Sequence, residues 1–315
     1  MSAQWPYPWL AARWRALAAA MREDRLSAAV LITGPAGVGR HELVEQLMAL
    51  AVCRAVADGA ESACGECVEC VQYAAGSHPD LIRLRPPEGK SQIAVDDLRE
   101  VLGALTLTRH YGRRRLVLID PAEGLNESGV NALLKSIEEP PAQTGFILIA
   151  ERPQELRATI RSRCQPFAIP LPPHGVARDW LIGQGLSAEA ADAALLAAGG
   201  APLLARELSG EEQVQRLREW REAVEAVESR RRLPQAVADA VVDAGETDGF
   251  LRWLQRLLQQ RARAGAFGAD PGGEERLAIA ARVSETLVSH RRMLKGNVNA
   301  KMVIESMLVT LARGR

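Results

Sequence analysis

The stretch Leu31-Ile-Thr-Gly-Pro-Ala-Gly-Val-Gly-Arg-His-Glu42 constrains the fold more than any other part of this chain. An apolar run, Val30-Leu31-Ile32, leads into a glycine-rich turn, and a helical pattern begins near His41. This is the outline of a phosphate-binding loop, G-x-x-x-x-G-K-[S/T]. In such a loop backbone N–H groups cradle phosphates, Lys reaches the outer phosphates and the hydroxyl holds magnesium. Gly34, Gly37 and Gly39 supply the backbone freedom, but Arg40 stands where Lys belongs and His41 where the hydroxyl belongs. An imidazole does not replace a hydroxyl on hard, oxygen-seeking magnesium, and a planar guanidinium is no equivalent of a compact ammonium. The loop is kept while its chemistry is removed. Taken alone, the string is also compatible with a chance glycine turn between a strand and a helix.

The segments that follow extend the strand–helix alternation. Leu81 to Leu84 reads as a short strand, and Val95-Asp96-Asp97 opens a helix with Asp96 as its N-cap. Leu116-Val-Leu-Ile-Asp120 is an apolar run ending in a carboxylate, as in the second strand of a phosphate-loop ATPase, where Asp binds magnesium. Pro121 stands where active members carry the water-polarising Glu, and the next carboxylate, Glu123, is displaced. The Arg113-Arg114-Arg115 triplet before this run reads as a solvated lead-in. A helix with Val130, Leu133, Leu134 and Ile137 on one face stops at Pro140-Pro141. Phe146 to Ala150 is another buried-strand run, and Gln154 to Ile160 a short helix. Strands alternating with helices in this order predict a mostly parallel sheet covered on both faces.

Cysteine spacing is the second strong signal. Cys64, Cys67 and Cys70 form C-x-x-C-x-x-C, and Cys53 precedes them across a ten-residue loop that includes Gly59. Four thiolates in this pattern match a closed tetrahedral structural zinc site. A redox C-x-x-C pair and an iron–sulfur cluster are the alternatives, the latter disfavoured by the missing Cys-Pro ending. The fifth cysteine, Cys164, lies apart, directly after Arg161-Ser162-Arg163. Read without further context, Arg163 forms a local ion pair.

Pro166, Pro170, Pro172 and Pro173 mark a change of character, and beyond them only helices are predicted. Trp180 to Gly200 is alanine-rich. Leu251, Leu254, Leu257 and Leu258 recur at helical spacing, as do Ile304, Met307, Leu308 and Leu311. Gly268 to Gly273, with Pro271, reads as a loop. The 39 basic and 39 acidic residues give a formal net charge of zero, so no whole-molecule field draws the chain to nucleic acid or to a membrane. No uncharged apolar run is long enough to span a bilayer and no signal-type segment opens the sequence, so the expected setting is cytosolic.

These residues resemble the bacterial clamp-loader subunits of DNA polymerase III, and among them the delta-prime family most closely. The matching strings are Tyr7-Pro8-Trp9-Leu10, the cysteine quartet, Gly76-x-His78-Pro79-Asp80, Asn131 through Pro141, Ala158 through Cys164, and Asn299 to Leu311. The resemblance implies an α/β plus all-α protein of three domains. The first is an AAA+ domain of the phosphate-loop type over residues 1–170, with a zinc module at about 53–75. A helical lid follows at 171–210, then a helical collar for oligomerisation at 211–315. It implies gamma/tau and delta subunits as partners in a ring that opens the sliding clamp and closes it around primed DNA. Membranes have no part in this.

Departures from the active gamma/tau pattern select the subunit type. Both loop positions and the strand Glu are altered. Ala150 stands where a polar sensor belongs, and Leu203 stands near the place of the lid arginine. The expectation is a chain that does not hydrolyse ATP with magnesium, its nucleotide site (Gly34, Gly37, Gly39, Arg40, Asp120) being degenerate. Such a chain is no enzyme by itself but a component of the polymerase III holoenzyme. Ser162-Arg163-Cys164 is intact, so the resemblance implies that Arg163 serves as an arginine finger for the ATP of a neighbouring gamma/tau subunit. The alternative is an active gamma-like ATPase in which Arg40 replaces Lys. A stand-alone zinc-containing DNA-binding protein is the third reading, and the neutral charge counts against it.

Overall fold

The computed structural model describes residues 5–55, 61–105, 114–267 and 300–313. Gly59, Arg113 and the 268–273 segment, each singled out above, lie outside them. The chain divides into two compact units, 1–176 and 177–315.

The first unit is built on five parallel strands: β1 (Ala29–Thr33), β2 (Leu81–Leu84), β3 (Arg115–Ile119), β4 (Thr144–Ala150) and β5 (Gln165–Ala168). Their order across the sheet is β2-β3-β4-β1-β5. Every residue of β3 and β4 is buried, as it must be in a parallel sheet covered on both faces. On one face Ala29, Leu31, Val117, Ile119, Phe146 and Leu148 pack with Leu98, Val130, Leu133, Ile137 and Ile160. These last five come from α4 (Val95–Ala104), α5 (Glu127–Glu138) and α6 (Ala158–Arg161). Against β3 and β4 also lies α2 (Arg40–Val52), with α1 (Ala11–Arg22) packed upon it. A short helix, α3 (Val68–Ala74), carries Cys70, with Cys67 as its N-cap.

Several local readings are corrected. Asp96 is not the N-cap of α4; that position is Ala94, without a side-chain cap, and Asp96 lies in the first turn. The helix expected over Gln154 to Ile160 is two pieces, a 3-10 turn at Pro153–Glu155 and α6. β5 begins inside the proline-rich stretch that was read as a boundary. Pro166 is accommodated because β5 is the edge of the sheet, where a missing N–H leaves no ladder bond unmade.

Arg114 and Arg115 are not a solvated lead-in. The Nη1 of Arg115 donates to the carbonyls of Ala104 and Leu105 at 3.3 Å, and its Nε lies 3.5 Å from the fully buried Asp80. Arg114 donates from Nη2 to the Leu26 carbonyl at 3.2 Å.

The second unit contains, among its described residues, α7 from its second turn (α7 spans His174–Gly183), α8 (Ala188–Ala197), α9 (Pro202–Glu207), α10 (Glu211–Glu228), α11 (Pro234–Asp243), α12 (Thr247–Phe267) and α13 (Ala300–Arg313). The alanine-rich stretch is therefore two helices, separated where Gly185 takes a φ of 97°, and Ser187 caps α8 by accepting from Ala190 N at 3.2 Å. Ala177, Leu181, Ala191, Leu195 and Ala205 form one small core. A larger one gathers Phe250, Leu251, Leu254, Leu257 and Leu258 with Ile304, Met307, Leu308 and Leu311, so both predicted apolar stripes are buried.

Candidate functional site

Parallel pairing brings three loops together at one end of the sheet. Thr33 pairs with Ala150 and Ile119 with Leu148, so the residues just beyond them, Gly34, Asp120 and Glu151, emerge on the same side. Open parallel sheets bind ligands at this edge, outside the carboxyl ends of the strands. Gly34 is required twice over. Its φ is +155°, and a Cβ there would meet the backbone oxygen of Ile169 at 2.4 Å. Gly39, with φ 96°, is the N-cap of α2 and turns the chain into the helix. Outside the loop, the indole of Trp9 donates to the Val38 carbonyl at 2.9 Å and so fixes its crest to the N-terminal segment.

The side chains at this edge neutralise one another. Nε2 of His41 lies 3.2 Å from Oδ2 of Asp120, and Nη2 of Arg85 lies 3.3 Å from the same oxygen. Burial pushes the Asp120 carboxyl up, but His41, Arg85 and Arg40 outweigh it and hold the group below its ordinary pKa. Arg40 is 5% exposed, with Nη2 4.0 Å from Glu151 Oε2. Its guanidinium pKa is lowered by burial, against the opposing pull of Glu151, Glu123, Asp120 and Glu42. Glu123, which follows the strand at a distance, accepts the Arg152 N–H at 2.6 Å and closes the turn after β4. A magnesium ion asks for carboxylate oxygens at about 2.1 Å in a near-octahedral shell. Here those oxygens are held by an imidazole and a guanidinium. Arg85 and Glu151 were not singled out in the sequence, where only their places just past two strands hinted at them, whereas Trp9 belongs to the Tyr7–Leu10 string quoted above.

The SRC string lies elsewhere on the same unit. Ser162 caps the end of α6, its hydroxyl donating to Thr159 O at 3.1 Å. The Arg163 side chain is 41% exposed, ion-paired with Glu138, and donates from Nη1 to Thr159 O at 3.3 Å. Cys164 is buried, which pushes its thiol up to about 11.

The cysteine quartet is gathered as its spacing implied. One sulfur from each of Cys53, Cys64, Cys67 and Cys70 lies within 4.8 Å of all the others, and the Cys64 and Cys70 sulfurs are 3.8 Å apart. A tetrahedral zinc with Zn–S bonds of about 2.3 Å requires sulfurs about 3.8 Å apart, so the donor set and the spacing fit that ion. The Cys64 sulfur accepts backbone N–H groups from Cys67 at 3.3 Å and Glu66 at 3.4 Å, which draw its thiol down to about 6. Burial pushes Cys53 and Cys70 the other way. Four sulfurs so close share negative charge poorly without a divalent cation.

The cluster is braced from three sides. Trp14 Nε1 donates to the Glu61 carbonyl at 2.8 Å, Arg54 pairs with Glu69 at 2.8 Å, and the Tyr73 hydroxyl donates to the Glu45 carbonyl at 2.7 Å.

Residues 10–173 match the family described as DNA polymerase III, delta subunit. DNA polymerase III subunit delta′ of Pseudomonas aeruginosa is 34% identical, over 97% of this chain and 97% of that one. The chain belongs to the delta-prime family. The delta-prime protein of Yersinia pestis is 35% identical over 80% of this chain and 75% of its own length. Among solved structures, a gamma subunit-related protein of DNA polymerase III from Thermotoga maritima covers 95% of this chain and 99% of its own, with a TM-score of 0.50 and 17% identity. That likeness speaks to the fold alone. Among the described residues no helix is long and apolar enough to cross a membrane.

Proposed function

We propose that this chain is the delta-prime component of the DNA polymerase III clamp loader. It acts as a stator that does not hydrolyse ATP, completes the ring with gamma/tau and delta subunits, and lends Arg163 to the ATP site of the gamma/tau subunit beside it. The ring loads the sliding clamp onto primed DNA. In this reading residues 171–210 are the lid, 211–315 the collar, and the cysteine quartet holds structural zinc.

One contrast carries the proposal. The chain's own carboxylate, Asp120, is occupied by His41 and Arg85, whereas Arg163 is exposed at the end of α6. A guanidinium presented across a junction neutralises charge on the γ-phosphoryl oxygens of the transition state and contributes about 10³–10⁵ in rate. Arg40 supports the same reading, being buried among carboxylates rather than extended towards a ligand's outer phosphates.

Two measurements test it. Calorimetry of the isolated chain with magnesium and ATP is expected to show no turnover; sustained hydrolysis would favour the gamma-like alternative. In a complex reconstituted with gamma/tau and delta subunits, Arg163→Ala is expected to leave assembly intact and depress DNA-stimulated hydrolysis. Unchanged turnover refutes the role in trans.

A further inference from the structure

The guanidinium of Arg163 already has a partner within its own chain. Its Nε donates to Oε1 of Glu138, the last residue of α5, and its Nη1 to the Thr159 carbonyl at 3.3 Å. Both side chains of the ion pair are reachable from solvent, at 41% and 47% exposure. We infer that Glu138 is a latch for Arg163: its carboxylate holds the guanidinium on α5 in the unassembled chain and gives it up to phosphoryl oxygens across the junction. The inference rests on the reading of Arg163 as an arginine supplied in trans.

Three physical points lead here. A carboxylate and a terminal phosphoryl group present paired, negatively charged oxygens to the same fork of N–H donors. One guanidinium edge cannot serve both, so Glu138 and the neighbour's nucleotide compete for Nε–H. The contact to the Thr159 carbonyl uses a different donor, Nη1–H, from the one Glu138 holds.

Exposure also sets the strength of the latch. An ion pair on the surface is weak and exchangeable, unlike the buried Arg115–Asp80 pair of the same unit. Finally, Glu138 occupies a place that helix electrostatics disfavours. The last turn of a helix attracts cations and repels carboxylates, yet α5 ends on Glu138 with Glu139 directly behind it. Helix stability gives no reason for a carboxylate at this position, whereas holding Arg163 does.

Glu138 is thus a positioning residue, and removing its charge should make Arg163 easier to transfer. The experiment uses the complete chain reconstituted with gamma/tau and delta subunits, in four forms: unaltered, Glu138→Gln, Arg163→Ala, and both together. Glu138→Gln is expected to raise DNA-independent hydrolysis about two- to fivefold, the range an exposed ion pair allows. The rise should appear in kcat, and it should be absent from the double variant because it acts through Arg163. Urea midpoints of the isolated variants serve as the fold control.

A Glu138→Gln rate that is unchanged or lower, with Arg163→Ala inactive, overturns the latch and leaves the role of Arg163 standing. A rise that persists in the double variant also overturns it. If Arg163→Ala is without effect, the reading of Arg163 itself fails. Should Glu138→Gln not fold, Glu138→Ala makes the same test.

Discussion

Asp80, with no exposed surface, faces Arg115 at 3.5 Å across the starts of β2 and β3. His78 contributes to the same corner, its Nδ1 accepting the Asp80 N–H at 3.1 Å. Removing one member of a buried pair leaves an uncompensated charge and typically costs about 3–5 kcal/mol. Arg115→Ala is therefore expected to lower unfolding stability by an amount in that range, read from urea titration. A loss below about 1 kcal/mol would show that Asp80 is neutral or reached by water.

Gly34→Ala should be among the costliest single-methyl changes in the first unit. The added Cβ meets the backbone oxygen of Ile169, which cannot swing aside as a side-chain tip does, and the φ of +155° is itself closed to alanine. Strain and overpacking together suggest a loss of about 2–4 kcal/mol. Equal urea midpoints for the variant and the unaltered protein would contradict this geometry.

Asp120 gives a pH signature. Its folded pKa lies below the ordinary 3.8, so the stability it contributes is complete above that value and disappears as pH falls through the lower, folded one. Asp120→Asn should cost about 1 kcal/mol near pH 7, because its two partners are both half exposed. The difference between the two proteins should close as the pH falls below the ordinary carboxylate range and through the lowered folded-state value. A gap that persists in acid would mean that the amide disturbs packing rather than charge.

Metal content tests the cysteine cluster. Purified protein is expected to carry zinc, and Cys67→Ser or a strong chelator should release it and open the 53–75 segment to proteolysis. Because a structural site couples binding to local folding, the protease sensitivity should reverse when zinc is restored. Protein that is metal-free and equally resistant would refute the assignment.

What could be read from the sequence followed from local pattern. β1, β3 and β4 are apolar runs buried on both faces, and the stripes Leu251–Leu258 and Ile304–Leu311 pack as their spacing implied. The Cys quartet carries its geometry in its spacing. What escaped depends on neighbours remote in sequence. Nothing around Arg115 announces Asp80, 35 positions earlier, so a buried guanidinium looks like one more surface charge. Arg85 gains meaning only once β2 and β3 are paired and it meets Asp120. β5, with Pro166 and mostly exposed residues, lacks every local mark of a strand and is one only because β1 offers it an edge.

The helix α2 carries Arg40 and His41 at its first turn, and the chain passes from its last residue, Val52, directly into Cys53. Thirteen residues at 1.5 Å per residue make a rod of about 20 Å. The nucleotide-type loop and the sulfur cluster are therefore the two ends of one spine. An ion held by the four sulfurs would fasten the far end of the same element that seats His41 on Asp120.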